Sequence, residues 1–181
     1  MTRKTVTTTI FKANMFSVFI SIPILIFYVA PFVFFHPIAN LVAGVDLMLV
    51  WFILVFPVGV VLHEVLHGVT WALFVKTGFS AIRFGINWKV LTPYCHCKIP
   101  MLKWQYLVGT LMPFIVLGFL PAVCSWFSGN AFFLIIGVFF SWASGGDLLG
   151  VWMLRGVKRN QCVADHPYRL GFSIVECPDK K

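Results

Sequence analysis

Charged side chains are scarce in this chain of 181 residues. Only 11% of the residues are charged, whereas 60% are hydrophobic. An average soluble domain is about a quarter charged and less than half apolar, so this composition excludes an ordinary water-soluble globule. Disorder is excluded too, because 20 Phe and seven Trp offer ample surface to bury. Linkers, low-complexity tracts and internal repeats are also absent, which predicts one membrane-embedded domain over residues 1–181.

Cysteines are few and form no disulfide pattern. The five thiols, at positions 95, 97, 124, 162 and 177, are an odd number without the spacing of a disulfide framework. We therefore expect them to be reduced. Cys95-His96-Cys97 is a single C-x-C without a second pair, and alternate strand residues point to opposite faces. This favours a structural role over a second metal site. The alternative is that His96 lies over the mouth of an active site and contacts substrate.

Long apolar runs make up most of the sequence. Four stretches are long enough to cross a hydrocarbon core about 30 Å thick, which takes roughly 20 helical residues. They are Met15–Phe35, Leu47–Val75, Tyr106–Trp126 and Ala131–Leu154. Pro57 gives the second stretch a local reason to kink. The sequence therefore predicts an all-α membrane protein with about four transmembrane helices.

Basic residues are distributed unevenly around these spans. All 14 Lys and Arg residues lie in the amino-terminal segment, in the 76–105 connection or in the tail after Leu154. The other two connections, 36–46 and 127–130, hold none. Lys and Arg concentrate on the cytoplasmic side of membrane proteins. We therefore predict a multi-pass cell-membrane protein with both termini inside, whose net charge of +8 needs no nucleic-acid partner.

The 76–105 connection carries strand-like patterns. Residues 79–87 partly alternate, residues 94–99 look extended, and Pro93 and Pro100 punctuate the segment. Residues 170–175 of the tail also predict a short strand. We therefore expect a small cytosolic sheet or hairpin at the membrane surface.

One motif in the second span carries chemistry: His63-Glu64-Val65-Leu66-His67. Positions i and i+4 share a helix face, so both imidazoles can reach one metal ion, and Glu64 can act as the general base. This is the H-E-x-x-H signature of zinc peptidases. Ionisable side chains in a membrane helix are costly and are by default functional. The alternative is that these side chains only make hydrogen bonds between helices.

A catalytic zinc ion usually takes a third protein ligand. Asp147 is the only acidic residue inside another span. His67 lies nine residues before Lys76, about 13 Å along a helix, and Asp147 lies eight before Arg155, about 12 Å. The two side chains can therefore occupy one layer of the membrane, and His63 lies about 6 Å deeper than His67. A hydrogen bond in helix packing, or a distant Lys partner, is the alternative role for Asp147.

Several segments together resemble a known family. They are HEVLHG, CHCK, Gly109–Pro121 (GTLMPFIVLGFLP), SGN and ASGGD, spread over residues 55–170. In this combination the chain resembles the putative zincin membrane peptidases, a bacterial family of small integral-membrane proteins. More remotely, it is similar to site-2-type intramembrane metalloproteases, although Gly-Gly precedes the aspartate here.

The resemblance implies a role for each matching residue. His63, His67 and Asp147 become ligands of Zn²⁺, and Glu64 becomes the general base. The implied protein is a zinc metallopeptidase of the bacterial cytoplasmic membrane that hydrolyses peptides or membrane proteins from the cytosolic side. The lipid bilayer is its other expected partner.

Two other functions fit the same residues. A metal or ion transporter also uses intramembrane His, Glu and Asp, but it predicts such residues at several depths. A membrane scaffold that holds a structural metal and cleaves nothing predicts that Glu64→Gln preserves function. The peptidase hypothesis predicts instead that Glu64→Gln retains the metal and stops turnover.

Overall fold

The computed structural model describes residues 4–46, 48–88, 92–166 and 170–177, without the side chains of residues 43–51. Most of the described chain is helical. The helices are α1 (Ile10–Phe35), α2 (Ile38–Asp46), α3 (Met48–Phe74), α4 (Lys103–Pro113), α5 (Leu120–Ser128), α6 (Ala131–Ala143) and α7 (Gly145–Met153). A π-helical segment, Phe114–Phe119, joins α4 to α5. The strands are β1 (Lys4–Thr7), β2 (Ile82–Asn87), β3 (Thr92–Cys97), β4 (Met101–Leu102), β5 (Cys162–Asp165) and β6 (Gly171–Val175).

The four predicted spans correspond to helices of the structure. Three helical stretches are long and apolar enough to cross a membrane: Ile10–Phe35, Phe52–Phe74 and Lys103–Ser128. The first begins five residues before its predicted start and ends at Phe35 as predicted, and the third extends beyond its predicted bounds at both ends. Pro57 lies inside α3 without interrupting it. The predicted start of the second span, Leu47, lies outside the described residues.

The fourth predicted span, Ala131–Leu154, is not one straight helix. It is broken at Ser144, and its two halves are bent by 48°. The backbone of Ser144 has ψ near 7°, and two glycines follow it, which are poor helix formers. Gly145 also packs so closely against Ser17 of α1 that a Cβ would overlap the serine side chain. The described residues therefore contain three helices long and apolar enough to cross a membrane, or four candidate spans if the bent pair is one span.

The strands form two antiparallel sheets. Together they contain more strands than the small sheet or hairpin that the sequence predicted. One has the order β1-β6-β5-β4, and the other is the β2-β3 hairpin. Strands β2, β3 and β6 confirm the three predicted strand-like segments. Strands β1, β4 and β5 are new, and β1 pairs with β6 from Lys4↔Ile174 to Thr7↔Gly171. This pairing places the strand that precedes α1 beside a strand from the carboxy-terminal part of the described chain.

An apolar core joins the sheets to the helix ends. Its fully or nearly fully buried members include Trp71 of α3, Tyr106 of α4, Cys97 of β3, Val163 of β5 and Phe172 of β6. Helices α3 and α4 and strands β2 to β6 each contribute at least one buried side chain. The core therefore fixes the position of the hairpin and the four-stranded sheet relative to α3 and α4.

Two of the cysteines form a disulfide. Cys162, the first residue of β5, is bonded to Cys177, just after β6. The expectation that all five thiols are reduced was wrong for this pair. The register of the two strands explains the error, because Cys162 faces Val175 and the tail then brings Cys177 alongside. Cys95, Cys97 and Cys124 are free thiols.

Candidate metal centre

Helix α3 places two imidazoles on one face. His63 and His67 are separated by one helical turn, and their ring centroids lie 4.9 Å apart. His67 is almost completely buried, and His63 retains 12% of its side-chain exposure. The i, i+4 spacing therefore produces the shared face that the sequence predicted.

Asp147 follows the helix break at Ser144, and its carboxylate approaches this face of α3. It lies in the first turn of α7, where the helix dipole favours a negative charge. One carboxylate oxygen, Oδ2, is 3.1 Å from His63 Nε2, and the other, Oδ1, is 3.3 Å from His67 Nε2. The break at Ser144 therefore starts a new helix at the place where its first turn meets α3.

The three side chains suit a divalent metal ion. Among the described residues, His63, His67 and Asp147 are the one group of at least three His, Cys, Asp or Glu whose donor atoms cluster, all within 4.8 Å of one another. Zinc bonds of about 2.0–2.1 Å in a tetrahedron separate two ligand atoms by about 3.4 Å. The observed nitrogen to oxygen distances of 3.1 and 3.3 Å match this edge. Two imidazoles and a carboxylate are also the donor set that zinc accepts.

The second ring nitrogen of His67 is held by helix α4. Its Nδ1 donates a hydrogen bond to the backbone carbonyl of Gly109, at 2.8 Å. Trp71 stacks on the same imidazole at 5.2 Å between ring centroids and 15° between planes. A hydrogen bond of this kind fixes the tautomer, so that Nε2 offers its lone pair to a metal. The contacts with α4 and Trp71 therefore orient His67.

Glu64 lies beside the cluster without belonging to it. Its carboxylate accepts a hydrogen bond from the backbone N–H of Cys95 on β3. The β2-β3 hairpin therefore borders the site on the side of Glu64. Phe84 and Ile82 of β2 pack so closely on α3 that a Cβ at Gly68 would overlap the Phe84 ring.

The Cys95-His96-Cys97 segment does not join the metal cluster. Cys97 is buried in the apolar core. Burial raises the pKa of both the Cys95 and the Cys97 thiols, so they are protonated at neutral pH. His96 Nδ1 donates to Asp165 Oδ2 of β5 at 2.7 Å. The structural role that the sequence favoured fits these contacts.

Several groups around the site were missed by the sequence analysis. They are the Gly109 carbonyl, Trp71, the Cys95 N–H and the carboxylate of Asp165, which also accepts a hydrogen bond from Tyr106 Oη at 3.0 Å. Backbone donors and acceptors leave no residue-type signal, because their partners depend on packing. Asp165 carried a weak signal as one of only six acidic residues in the chain.

One comparison with known proteins gives a match. A family model described as "Putative zincin peptidase" matches residues 56–162, which is more than half of the chain and includes His63, Glu64, His67 and Asp147. Comparison with curated proteins and with solved structures gave no match.

Proposed function

The chain belongs to the putative zincin peptidase family, and from that premise we propose that it is a zinc-dependent metallopeptidase embedded in the cytoplasmic membrane. The observation that carries the proposal is the convergence of His63, His67 and Asp147, with Glu64 directly beside them. This convergence joins two segments that are about 80 residues apart in the sequence. If these side chains only packed the helices together, their three donor atoms would not need to converge on one point.

The chain's own groups divide the work of peptide hydrolysis. Bound zinc would supply a Lewis acid that polarises the scissile carbonyl and lowers the pKa of water to about 7. His63, His67 and Asp147 would hold the ion. Glu64 takes a proton from the attacking water at one carboxylate oxygen and then gives it to the departing amine. The Gly109 carbonyl accepts from His67 Nδ1 and so keeps the imidazole oriented with Nε2 free to bind the metal.

A membrane location is supported by the apolar surfaces of the long helices. Phe11, Phe19 and Phe34 of α1 are each at least 65% exposed, and Leu73 of α3 is 78% exposed. Such side chains on every long helix would be strongly unfavourable in water. Apolar side chains that face outward along whole helices are expected where lipid is the solvent.

The charge distribution supports a site that opens toward the cytosol. The described Lys and Arg residues lie at the end of the bundle that carries the sheets. The Cys162–Cys177 disulfide is unusual for a cytosolic face, but one bond weighs less than the placement of all 14 basic residues. A Ser80→Cys thiol tests the orientation. An impermeant thiol reagent should label it only after cells are permeabilised, and labelling of intact cells would reverse the orientation.

We further propose that substrate adds to the hairpin as an extended strand. The β2-β3 sheet has two strands, and the N–H of Cys95 shows that β3 borders Glu64. Strand addition would align a peptide backbone with the site through main-chain hydrogen bonds. A proline at one position within residues 81–84 should raise KM. Unchanged cleavage by a folded variant would contradict strand addition.

The depth of the ionisable groups favours a peptidase over a transporter. In the described parts of α1 and α3 to α7, the Asp, Glu and His side chains are confined to His63, Glu64, His67 and Asp147. A permeation path needs such groups at several depths, whereas a single hydrolytic centre needs them in one layer.

The activity test uses the protein reconstituted in liposomes and loaded with zinc. A proteome-derived peptide library is added, and new amino termini are identified by mass spectrometry. We expect cleavage by the wild type and none by Glu64→Gln, with equal zinc content in both. Equal cleavage by the two proteins would contradict the role of Glu64. Absence of cleavage by the zinc-loaded wild type would favour the scaffold function.

A further inference from the structure

A second buried polar cluster lies next to the metal centre. His96 Nδ1 donates to Asp165 Oδ2 at 2.7 Å, and Tyr106 Oη donates to Asp165 Oδ1 at 3.0 Å. The side chains of His96 and Asp165 are only 15% and 14% exposed. None of the three belongs to the metal cluster. Burial of charged and polar groups is costly, so this cluster needs an explanation beyond packing.

The cluster connects three elements that share no backbone ladder. His96 lies on β3 of the hairpin, Asp165 ends β5 of the four-stranded sheet, and Tyr106 lies in the first two turns of α4. The two sheets are separate. Because each oxygen of Asp165 accepts from a different element, this one carboxylate joins the hairpin to α4.

Both ends of this connection reach the proposed catalytic groups. On the hairpin side, Cys95 precedes His96, and its N–H donates to the Glu64 carboxylate. On the α4 side, Gly109 follows Tyr106 by three residues, and its carbonyl accepts from His67. Tyr106 is also stacked on Trp71, at 5.4 Å and 14°. A displacement of β3 relative to α4 would therefore move the base relative to a metal ligand.

We propose that His96, Asp165 and Tyr106 are positioning residues for Glu64: they hold β3 where the Cys95 N–H meets the Glu64 carboxylate. This inference rests on the proposed role of Glu64 as the general base. One carboxylate oxygen is oriented by the Cys95 N–H, which leaves the other to face the attacking water. A misplacement of about 1 Å can lower a rate by about 100-fold, so a distant hydrogen bond can control turnover.

The contact between Cys95 and Glu64 can be observed without a substrate. Zinc-loaded protein labelled with [¹⁵N]cysteine has five cysteine amides, and Cys95→Ala identifies the signal of Cys95. We expect Glu64→Gln to shift that signal. Asp165→Asn and the milder Tyr106→Phe should shift it as well, with the signal of Cys124 unchanged. If neither of these two variants moves the Cys95 amide, or if Glu64→Gln does not, the proposal is overturned.

A control variant separates positioning from general loss of sheet stability. Ser173 of β6 is also buried in the four-stranded sheet, and its hydroxyl is hydrogen-bonded to Thr5 at 3.2 Å. Ser173→Ala removes a buried hydrogen bond from this sheet without touching the cluster. We expect it to leave the Cys95 amide unchanged. A shift equal to that of Asp165→Asn would assign the effect to the sheet as a whole and contradict positioning.

Turnover supplies the second readout. Cys95→Pro removes the N–H, whereas Ser173→Ala leaves both the N–H and the cluster intact. For a peptide that the wild type cleaves, Cys95→Pro and Asp165→Asn should lower kcat by about 10- to 100-fold with KM within about twofold. Ser173→Ala should retain wild-type kcat, because it leaves the cluster and the Cys95 N–H in place. Unchanged kcat in Asp165→Asn would overturn the proposal. A loss of activity caused only by a higher KM would also contradict it, because it would assign β3 to substrate binding. Failure of the wild type to cleave any peptide would refute the proposed function. The amide signals would still show whether the Cys95 N–H contacts the Glu64 carboxylate.

Discussion

Helix α4 should control metal affinity through one glycine. At Gly109 a Cβ would overlap the indole of Trp71, which donates to the Tyr106 carbonyl at 3.3 Å and stacks on His67. Gly109→Ala must therefore move either the indole or α4. Either movement displaces the Gly109 carbonyl that accepts from His67 Nδ1. Loss of such a hydrogen bond typically weakens metal binding about 10- to 100-fold.

The magnitude can be expressed as zinc-dependent stability. At a free zinc concentration of 100 times the wild-type Kd, binding stabilises the folded state by about 2.7 kcal/mol. With a Kd that is 10- to 100-fold weaker, the same zinc stabilises Gly109→Ala by about 1.4 to 0.4 kcal/mol. At about 2–4 °C per kcal/mol, the zinc-induced rise in Tm should fall from roughly 5–11 °C to roughly 1–6 °C.

The assay is thermal unfolding in detergent at fixed free zinc, together with a chelator competition for Kd. Gly150→Ala is the matched control, because the nearest atom to its Cβ is Thr110 Cγ2 at 3.9 Å. It should bind zinc as the wild type does and be slightly more stable, since alanine favours a helix. If folded Gly109→Ala has the wild-type Kd, the Gly109 carbonyl does not hold His67 and the reasoning is refuted.

Three further predictions concern the rest of the fold. Replacement of both Cys162 and Cys177 by Ser should lower the free energy of unfolding by about 3 kcal/mol, because the bond closes a loop with a sequence separation of 15; equal unfolding curves with and without reductant would contradict this. Burial raises the pKa of Cys97, so fewer of its thiols are ionised at pH 7–9 than at an exposed site, and iodoacetamide should alkylate it more slowly than an added Ser80→Cys thiol at the same pH. Mass spectrometry measures both rates, and equal rates would refute the burial argument. Tyr28→Phe should destabilise the protein by about 1 kcal/mol in a denaturant titration, because the buried Tyr28 hydroxyl is hydrogen-bonded to Ser141 at 3.1 Å; no loss would show that this bond contributes nothing net.

The sequence predicted the helical class and the relation between the candidate metal ligands. Apolar length alone located the candidate spans, because crossing a bilayer requires about 20 apolar residues whatever the tertiary structure. The i, i+4 spacing of His63 and His67 is a local property of a helix. Asp147 could be found by elimination, since charges inside apolar spans are so few.

Long-range pairing could not be predicted in the same way. Strand β1 has four residues, and its partner β6 lies near the other end of the chain. No local sequence pattern predicts such a pairing. The disulfide was missed for the same reason, because the closeness of Cys162 and Cys177 depends on the register of β5 and β6. The helix break at Ser144 coincides with close packing of Gly145 against Ser17, which is also a tertiary contact.

The most direct test of the central claim is the metal content of detergent-purified protein that elutes as a single species. Wild type, Glu64→Gln and Asp147→Ala are compared by elemental analysis after zinc is supplied and excess is removed. We predict about one zinc per chain in wild type and Glu64→Gln, because Glu64 is not a ligand, and a marked loss in Asp147→Ala. Absence of zinc from the well-folded wild type, or full zinc content in Asp147→Ala, would contradict the metal centre.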